Sequence, residues 1–209
     1  MRDEWYSDKR DLVKWAVLMQ LAQMYEATSI LQVAYYRPTA WKDKPIEIDG
    51  RAYPVPPEVL GHFRNINNIG AIRPPPQLKV LDALFSDRDA YPECVLTAIR
   101  TLPERAIIFL DPDTGLEPPK SRADLKHVLE TELCEIWHAL RRGDLLVLYQ
   151  HQTNMAGRPW VEEKQTQFET AIGLEPGGSK LAQGREIARD VAFFFSQRLD
   201  SSKTAQAAE

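Results

Sequence analysis

A chain of 209 residues with 44% apolar and 27% charged residues has the length and composition of one globular domain that buries a substantial core, which excludes a mainly disordered polypeptide. Its formal charge of −4 and pI near 5.7 argue against a protein whose chief task is coating nucleic acid, although they leave room for a local basic cleft. Cys94 and Cys134 are the only cysteines, too few for a disulfide framework and without the CxxC spacing of zinc or thiol redox sites, so both are expected reduced and buried.

In chain order, the spacing of Leu12, Trp15, Ala16, Met19 and Ala22, widened by Val13, Val17, Leu21 and Met24, predicts a largely buried helix from Asp8 to about Tyr25. Ser7 or Asp8 suits its cap, and Asp11 sits in the first turn, where a carboxylate meets the positive end of the helix dipole. Ile30 to Tyr36 reads as a strand ended by Arg37-Pro38. Residues 38 to 76 change texture and read as an insertion: a hairpin from Ile46 to Tyr53 around Asp49-Gly50, a short helix near Pro57 to Arg64, and the stiff connector Pro74-Pro75-Pro76.

Gln77 to Phe85 is apolar and short, and its pattern leaves strand and helix both open; Ala90 to Leu102 reads as a helix with Pro92 in its first turn. Ala106 to Leu110 reads as a strand buried on both faces, opening into Asp111-Pro112-Asp113-Thr114-Gly115. Asp124 to Arg142 carries the stripe Leu125, Leu129, Leu133, Ile136, Trp137 and Leu140 and reads as one helix with Gly143 beyond its end. Asp144 to His151 is a second buried strand, so strand, helix and strand imply a parallel pair. Trp160 to Ile172 reads as a helix, Asp190 to Ser196 as a late strand, and residues 201–209 as a frayed tail. The expected fold is a single Rossmann-like α/β domain over residues 1–200, an open and mainly parallel sheet flanked by helices with the hairpin-containing insertion. No run reaches the roughly 18 apolar residues of a membrane span, and the first residues carry no signal-peptide core, so a cytoplasmic location without membrane contact is expected. Oligomeric state is not legible.

Three groups of residues carry candidate chemistry. Asp111 and Asp113 end a buried strand, where ligands of α/β folds bind; Asp-Pro-Asp-Thr-Gly is equally an effective β-turn by backbone preference alone. His151 ends the neighbouring strand at the same rim and suits a general acid/base or a metal ligand. Lys14 lies among apolar neighbours three residues after Asp11, with Arg10 beside it, which suits an ion pair or an anion such as phosphate at the helix N-terminus. His62, His127 and His138 have no metal-like spacing, and GxSxG, P-loop, HExxH and GxGxxG motifs are absent.

Ile108 to Thr114 resembles the strand-end D-P-P-Y motif of Rossmann-like S-adenosylmethionine-dependent methyltransferases, and Asp11-x-x-Lys14 resembles the N-terminal D-x-x-K helix of bacterial 23S rRNA adenine-N6 methyltransferases. The order of elements agrees with both. More closely, Asp11-x-x-Lys14, Asp111-Pro112-Asp113-Thr114-Gly115 and Tyr149-Gln150-His151 are similar to a bacterial and phage family marked by D-x-x-K, D-P-D-[TN]-G and Y-Q-H, over about three quarters of the chain. The methyltransferase resemblance implies an enzyme acting on nucleic acid or a nucleotide with S-adenosylmethionine as cofactor: Asp111 and Asp113 orient the acceptor, His151 lies near the reacting group, and Asp11, Lys14 and Arg10 bind cofactor or phosphate. Two alternatives stand beside it. A metal-dependent nuclease or phosphoesterase would hold Mg²⁺ or Mn²⁺ through Asp111, Asp113 and His151, and a non-catalytic Rossmann-like interaction module would use the acidic turn only as a turn.

Overall fold

Five consecutive apolar residues need cover on both faces of a strand, and β5 (Ala106–Leu110) has it, with every residue buried. The computed structural model describes residues 9–37, 46–48, 51–54, 76–118, 124–152 and 159–199. Around β5 stands a six-stranded sheet of β4 (Gln77–Leu81), β1 (Ser29–Val33), β5, β8 (Leu145–His151), β10 (Ala188–Gln197) and β9 (Lys180–Gly184), in that spatial order. The first four run parallel, β10 is antiparallel to both β8 and β9, and the result is the open, mainly parallel Rossmann-like sheet that the chain pattern predicts.

Alternation along the strands sorts the core into two layers. Helix α1 (Lys9–Met24) covers one face, where Val13, Leu18 and Leu21 pack with Ile30, Ile107, Phe109, Val147 and Phe193. On the other face α2 (Tyr91–Arg100), α3 (Glu130–Ala139) and α4 (Trp160–Ala171) pack on Leu31, Ile108, Leu110, Leu146 and Phe194. No helix among the described residues is long and apolar enough to cross a membrane. The hairpin of the insertion forms as β2 (Ile46–Ile48) against β3 (Arg51–Tyr53), antiparallel. The expected helix near Pro57 to Arg64, the capping residues Ser7 and Asp8, the triple proline's first two residues and the tail lie outside the described residues.

Several boundaries depart from the sequence pattern. The open segment after the prolines is a strand, β4, because β1 offers it a parallel ladder from Ser29–Gln77 to Val33–Leu81. Strand β1 ends three residues early: Tyr35 turns into the left-handed region at φ 45°, and only Tyr36 rejoins Leu84 as an isolated bridge. The helix expected from Asp124 begins at Glu130 instead. The Asp124 carboxylate accepts the Lys126 backbone N–H at 2.8 Å and contacts the His127 ring at 2.7 Å, a local turn that competes with helix. His127–Val128 then forms β7, parallel to β6 (Gly115–Leu116), and the Glu132 carboxylate accepts the Leu129 N–H at 2.9 Å to start α3. Strand β9 has no sequence signal, being a mixed segment on the sheet edge with an outer pattern of exposed and half-buried residues. Cys94 is exposed and Cys134 half-buried, contrary to the expected burial, because both lie on the outward sides of their helices.

The turn after β5 is tied to β8 through a buried glutamine. Gln150 accepts the Leu116 N–H at 2.8 Å and donates to the Thr114 carbonyl at 2.9 Å. Gly115 passes directly over that amide at φ 112°, and a Cβ there would lie 2.2 Å from Gln150 Oε1. Gly115→Ala is therefore expected to destabilise the protein by roughly 1–3 kcal/mol from backbone strain alone, read as a lowered urea midpoint with an unchanged slope; an unchanged midpoint would contradict this packing.

Candidate functional site

The period of two brings polar side chains from three strands beneath one helix. Gln32 is registered opposite Phe109, and Phe109 opposite Val147, so the next positions on that same face are Asp111 and Tyr149. All face α1, which sets Asp11 and Lys14 one turn apart above them. Lys14 Nζ donates to Asp11 Oδ1 at 2.8 Å and to Asp111 Oδ2 at 3.0 Å, and Gln32 Nε2 donates to the same Asp111 oxygen at 2.6 Å. The ammonium also stands 4.9 Å from the centre of the Tyr149 ring, within cation–π range.

This cluster is closed to water. Lys14 is 4%, Asp11 5%, Asp111 1% and Gln32 1% exposed, so solvent screens none of its charges. Burial by itself would push the lysine pKa down; the Asp111 and Asp11 carboxylates and Tyr149 outweigh it and hold the pKa above the ordinary 10.5.

The triad lies at the point where the sheet changes direction of build. From β1 the chain goes to β4 on one side, and from β5 to β8 on the other, which makes the carboxyl ends of β1 and β5 the topological switch point. Asp111 N–H donates to the Val33 carbonyl at 3.0 Å, closing the two strand ends together. Above them Arg37, just after β1, forms an ion pair with Asp113. Tyr35, in its left-handed conformation, is held by its N–H donating to Tyr91 Oη at 3.1 Å and by stacking among Phe85 and Tyr91. An αL tyrosine is strained, and such strain gathers at sites. Asp82, exposed, is the first residue beyond β4 at the same end of the sheet.

A second group stands at the β8 and β10 side of the rim. His151 Nε2 lies 3.2 Å from Asp190 Oδ2, and Arg10 donates to that oxygen from Nε at 3.1 Å and Nη2 at 2.5 Å. Burial would raise the Asp190 pKa, but the hydrogen bond and charge of Arg10 hold it below the usual carboxylate range.

Of the residues singled out by sequence, Asp11, Lys14 and Asp111 thus meet in one buried network, Asp113 pairs with Arg37, and Arg10 and His151 meet on Asp190. Lys14 and Arg10 direct their charge at carboxylates of the chain itself. Asp111, Asp113 and His151 each face a different partner, and no three histidine, cysteine or carboxylate groups converge on a metal-sized site among the described residues. Sequence reading missed Gln32, Arg37 and Asp190. Gln32 had a usable signal, a polar residue inside the apolar strand Ile30 to Ala34; Asp190 had none, because its role depends on which strands β10 joins.

Compared with protein-family models, curated proteins and solved structures, the chain finds no match.

Replacing Lys14 by Met should destabilise the fold by about 3–5 kcal/mol, because two buried carboxylates lose their shared counter-charge. Adding Asp111→Asn to Lys14→Met should recover part of the loss in chemical denaturation, and a loss below about 1 kcal/mol would place the pair in screened, surface-like surroundings. The sign with pH follows from a raised pKa: the Lys14 contribution is fully present below 10.5 and declines only as pH rises through the higher folded value. The stability gap between wild type and Lys14→Met should accordingly stay flat from neutral pH up to the ordinary lysine value.

Proposed function

We propose that the chain is a methyltransferase-like enzyme that binds S-adenosylmethionine at the β1/β5 switch point and acts on a nucleotide or nucleic-acid acceptor. The observation that carries this reading is the meeting of the two motifs on which the resemblance rests: Lys14 of D-x-x-K and Asp111 of D-P-D-T-G, 97 residues apart in sequence, share a salt bridge at 3.0 Å. The donor set at the rim fits such a cofactor. Asp82, at the end of the strand beside β1, has the position from which acidic residues of Rossmann-type folds accept ribose hydroxyls. Arg37 suits a carboxylate.

When bound, the cofactor supplies an electrophilic methyl group. The chain's own residues orient and exclude. Asp111 is too enclosed to touch a substrate; its part is to fix the strand ends and the turn that carries Asp113. Asp113, half-buried at the crevice beside Arg37, is the carboxylate within reach of an acceptor N–H. Thr114 gives its hydroxyl to the Lys126 carbonyl at 2.9 Å and offers no ring for stacking on a base, so acceptor recognition rests on other residues. Arg10 and Lys14 already meet carboxylates, so they are not the phosphate contacts in this reading.

Calorimetric titration of the purified chain with S-adenosylmethionine is expected to show saturable one-site binding, weakened about tenfold or more in Asp82→Ala, the scale of a lost hydrogen bond to a charged group. No binding in the wild type would reject the proposal. A melting temperature raised by Mg²⁺ or Mn²⁺ and insensitive to S-adenosylmethionine would favour the metal-dependent hydrolase instead.

A further inference from the structure

Asp190 is the third residue of β10, just before its buried run, and its Oδ2 receives donors from two other elements, Arg10 on α1 and His151 on β8. Because Arg10 keeps this carboxylate anionic, the ring nitrogen facing it, Nε2, is the one that carries the proton; the tautomer is assigned from that bond. In a neutral imidazole the other nitrogen, Nδ1, is then a bare acceptor. It has no hydrogen-bond partner among the described residues, and the His151 side chain is 30% exposed. The backbone fixes the ring's position too: His151 N–H donates to the Thr114 carbonyl at 3.0 Å and Gln152 N–H to the Asp190 carbonyl at 2.8 Å. The imidazole therefore sits beside the acidic turn that begins at Asp111.

No carboxylate of that turn is as well placed to take a proton. Asp111 already accepts from Lys14 and Gln32 and is sealed from the rim, and Asp113 is paired with the Arg37 guanidinium. We propose that His151 is the proton acceptor of this site, acting through Nδ1, and that Asp190, held by Arg10, is the positioning residue that fixes its tautomer and orientation. The proposal rests on the methyltransferase reading for the identity of the acid, an N–H or O–H group of the methyl acceptor. As the acceptor's lone pair bonds to the methyl carbon, the carbon–sulfur bond breaks and its electron pair stays on sulfur, leaving a neutral thioether. The acceptor's proton passes to Nδ1, the imidazolium is paired with Asp190, and water then removes the proton.

The test uses the full chain labelled with ¹⁵N-histidine at mildly alkaline pH, with His151→Gln to assign the resonance. Expected is an Nε2–H imidazole with a bare Nδ1 in the wild type, a tautomer mixture in Asp190→Ala, and recovery in Asp190→Glu. Diethyl pyrocarbonate should mark His151 on Nδ1 in the wild type and on both ring nitrogens in Asp190→Ala, because the freed Nε2 is then a bare acceptor in part of the molecules. A wild-type ring protonated on Nδ1, or a tautomer and a reactivity that ignore Asp190→Ala, would overturn the proposal. Titration of the same samples with S-adenosylmethionine separates the two claims. Equal affinity in wild type and Asp190→Ala fits a dyad that touches acceptor and not cofactor; a wild type with the Nε2–H tautomer that binds no S-adenosylmethionine rejects the methyltransferase reading and leaves the dyad standing.

Discussion

The buried ammonium of Lys14 ties helix α1 to the carboxyl ends of the two central strands, β1 and β5. It stands between Asp11 on its own helix and Asp111 at the end of β5, with Gln32 of β1 completing the second carboxylate. Stripping water from three charged groups is strongly unfavourable unless each is matched, and matching is geometrically demanding. Helix α1 therefore has one rotation and one height over the sheet at which Lys14 reaches both carboxylates. That setting also fixes where Arg10, one turn earlier, meets Asp190. The apolar contacts of α1 stabilise the layer, but apolar contact is non-directional; the ion network supplies the direction.

Its location is the carboxyl end of the sheet. Parallel strands converge their carboxyl ends on one rim, and at the β1/β5 boundary the chain leaves in opposite directions, the place where open α/β sheets bind ligands. A buried charge network braces the acidic turn at its start, while the Gln150 amide braces it from the side. Rigid support of this kind keeps functional side chains within the fraction of an ångström that catalysis needs.

The rim divides its work by exposure. Asp111, at 1% exposure, is sealed within the network of Lys14 and Gln32. Asp113 and Arg37 pair half-buried just beyond the strand ends, and His151 with Asp190 stands further along, partly open to solvent. Equal emphasis on Asp111, Asp113 and His151 as one cluster, natural from sequence, gives way to three separately paired groups, each with its own environment.

The sequence by itself determined the elements that rest on local pattern. The all-apolar run Ala106 to Leu110 reads as a strand covered on both sides, and Asp-Pro-Asp-Thr-Gly as a turn; the helix over Leu12 to Ala22 was legible too, but not its face, because burial follows Asp11, Val13, Lys14, Leu18 and Leu21 and leaves Leu12 62% and Met24 68% exposed. Those facts also placed Asp111 and His151 at strand ends. Tertiary structure decided what required a partner distant in the chain. Gln77 to Leu81 became a strand because β1 lay beside it; Asp124 to Leu129 left the helix because a carboxylate captured its backbone and β6 offered a ladder. Asp190 became part of the site because β10 runs antiparallel beside β8. Periodicity is a property of neighbours in sequence, whereas the pairing of a buried charge depends on residues brought together by the sheet, and no local pattern carries that information.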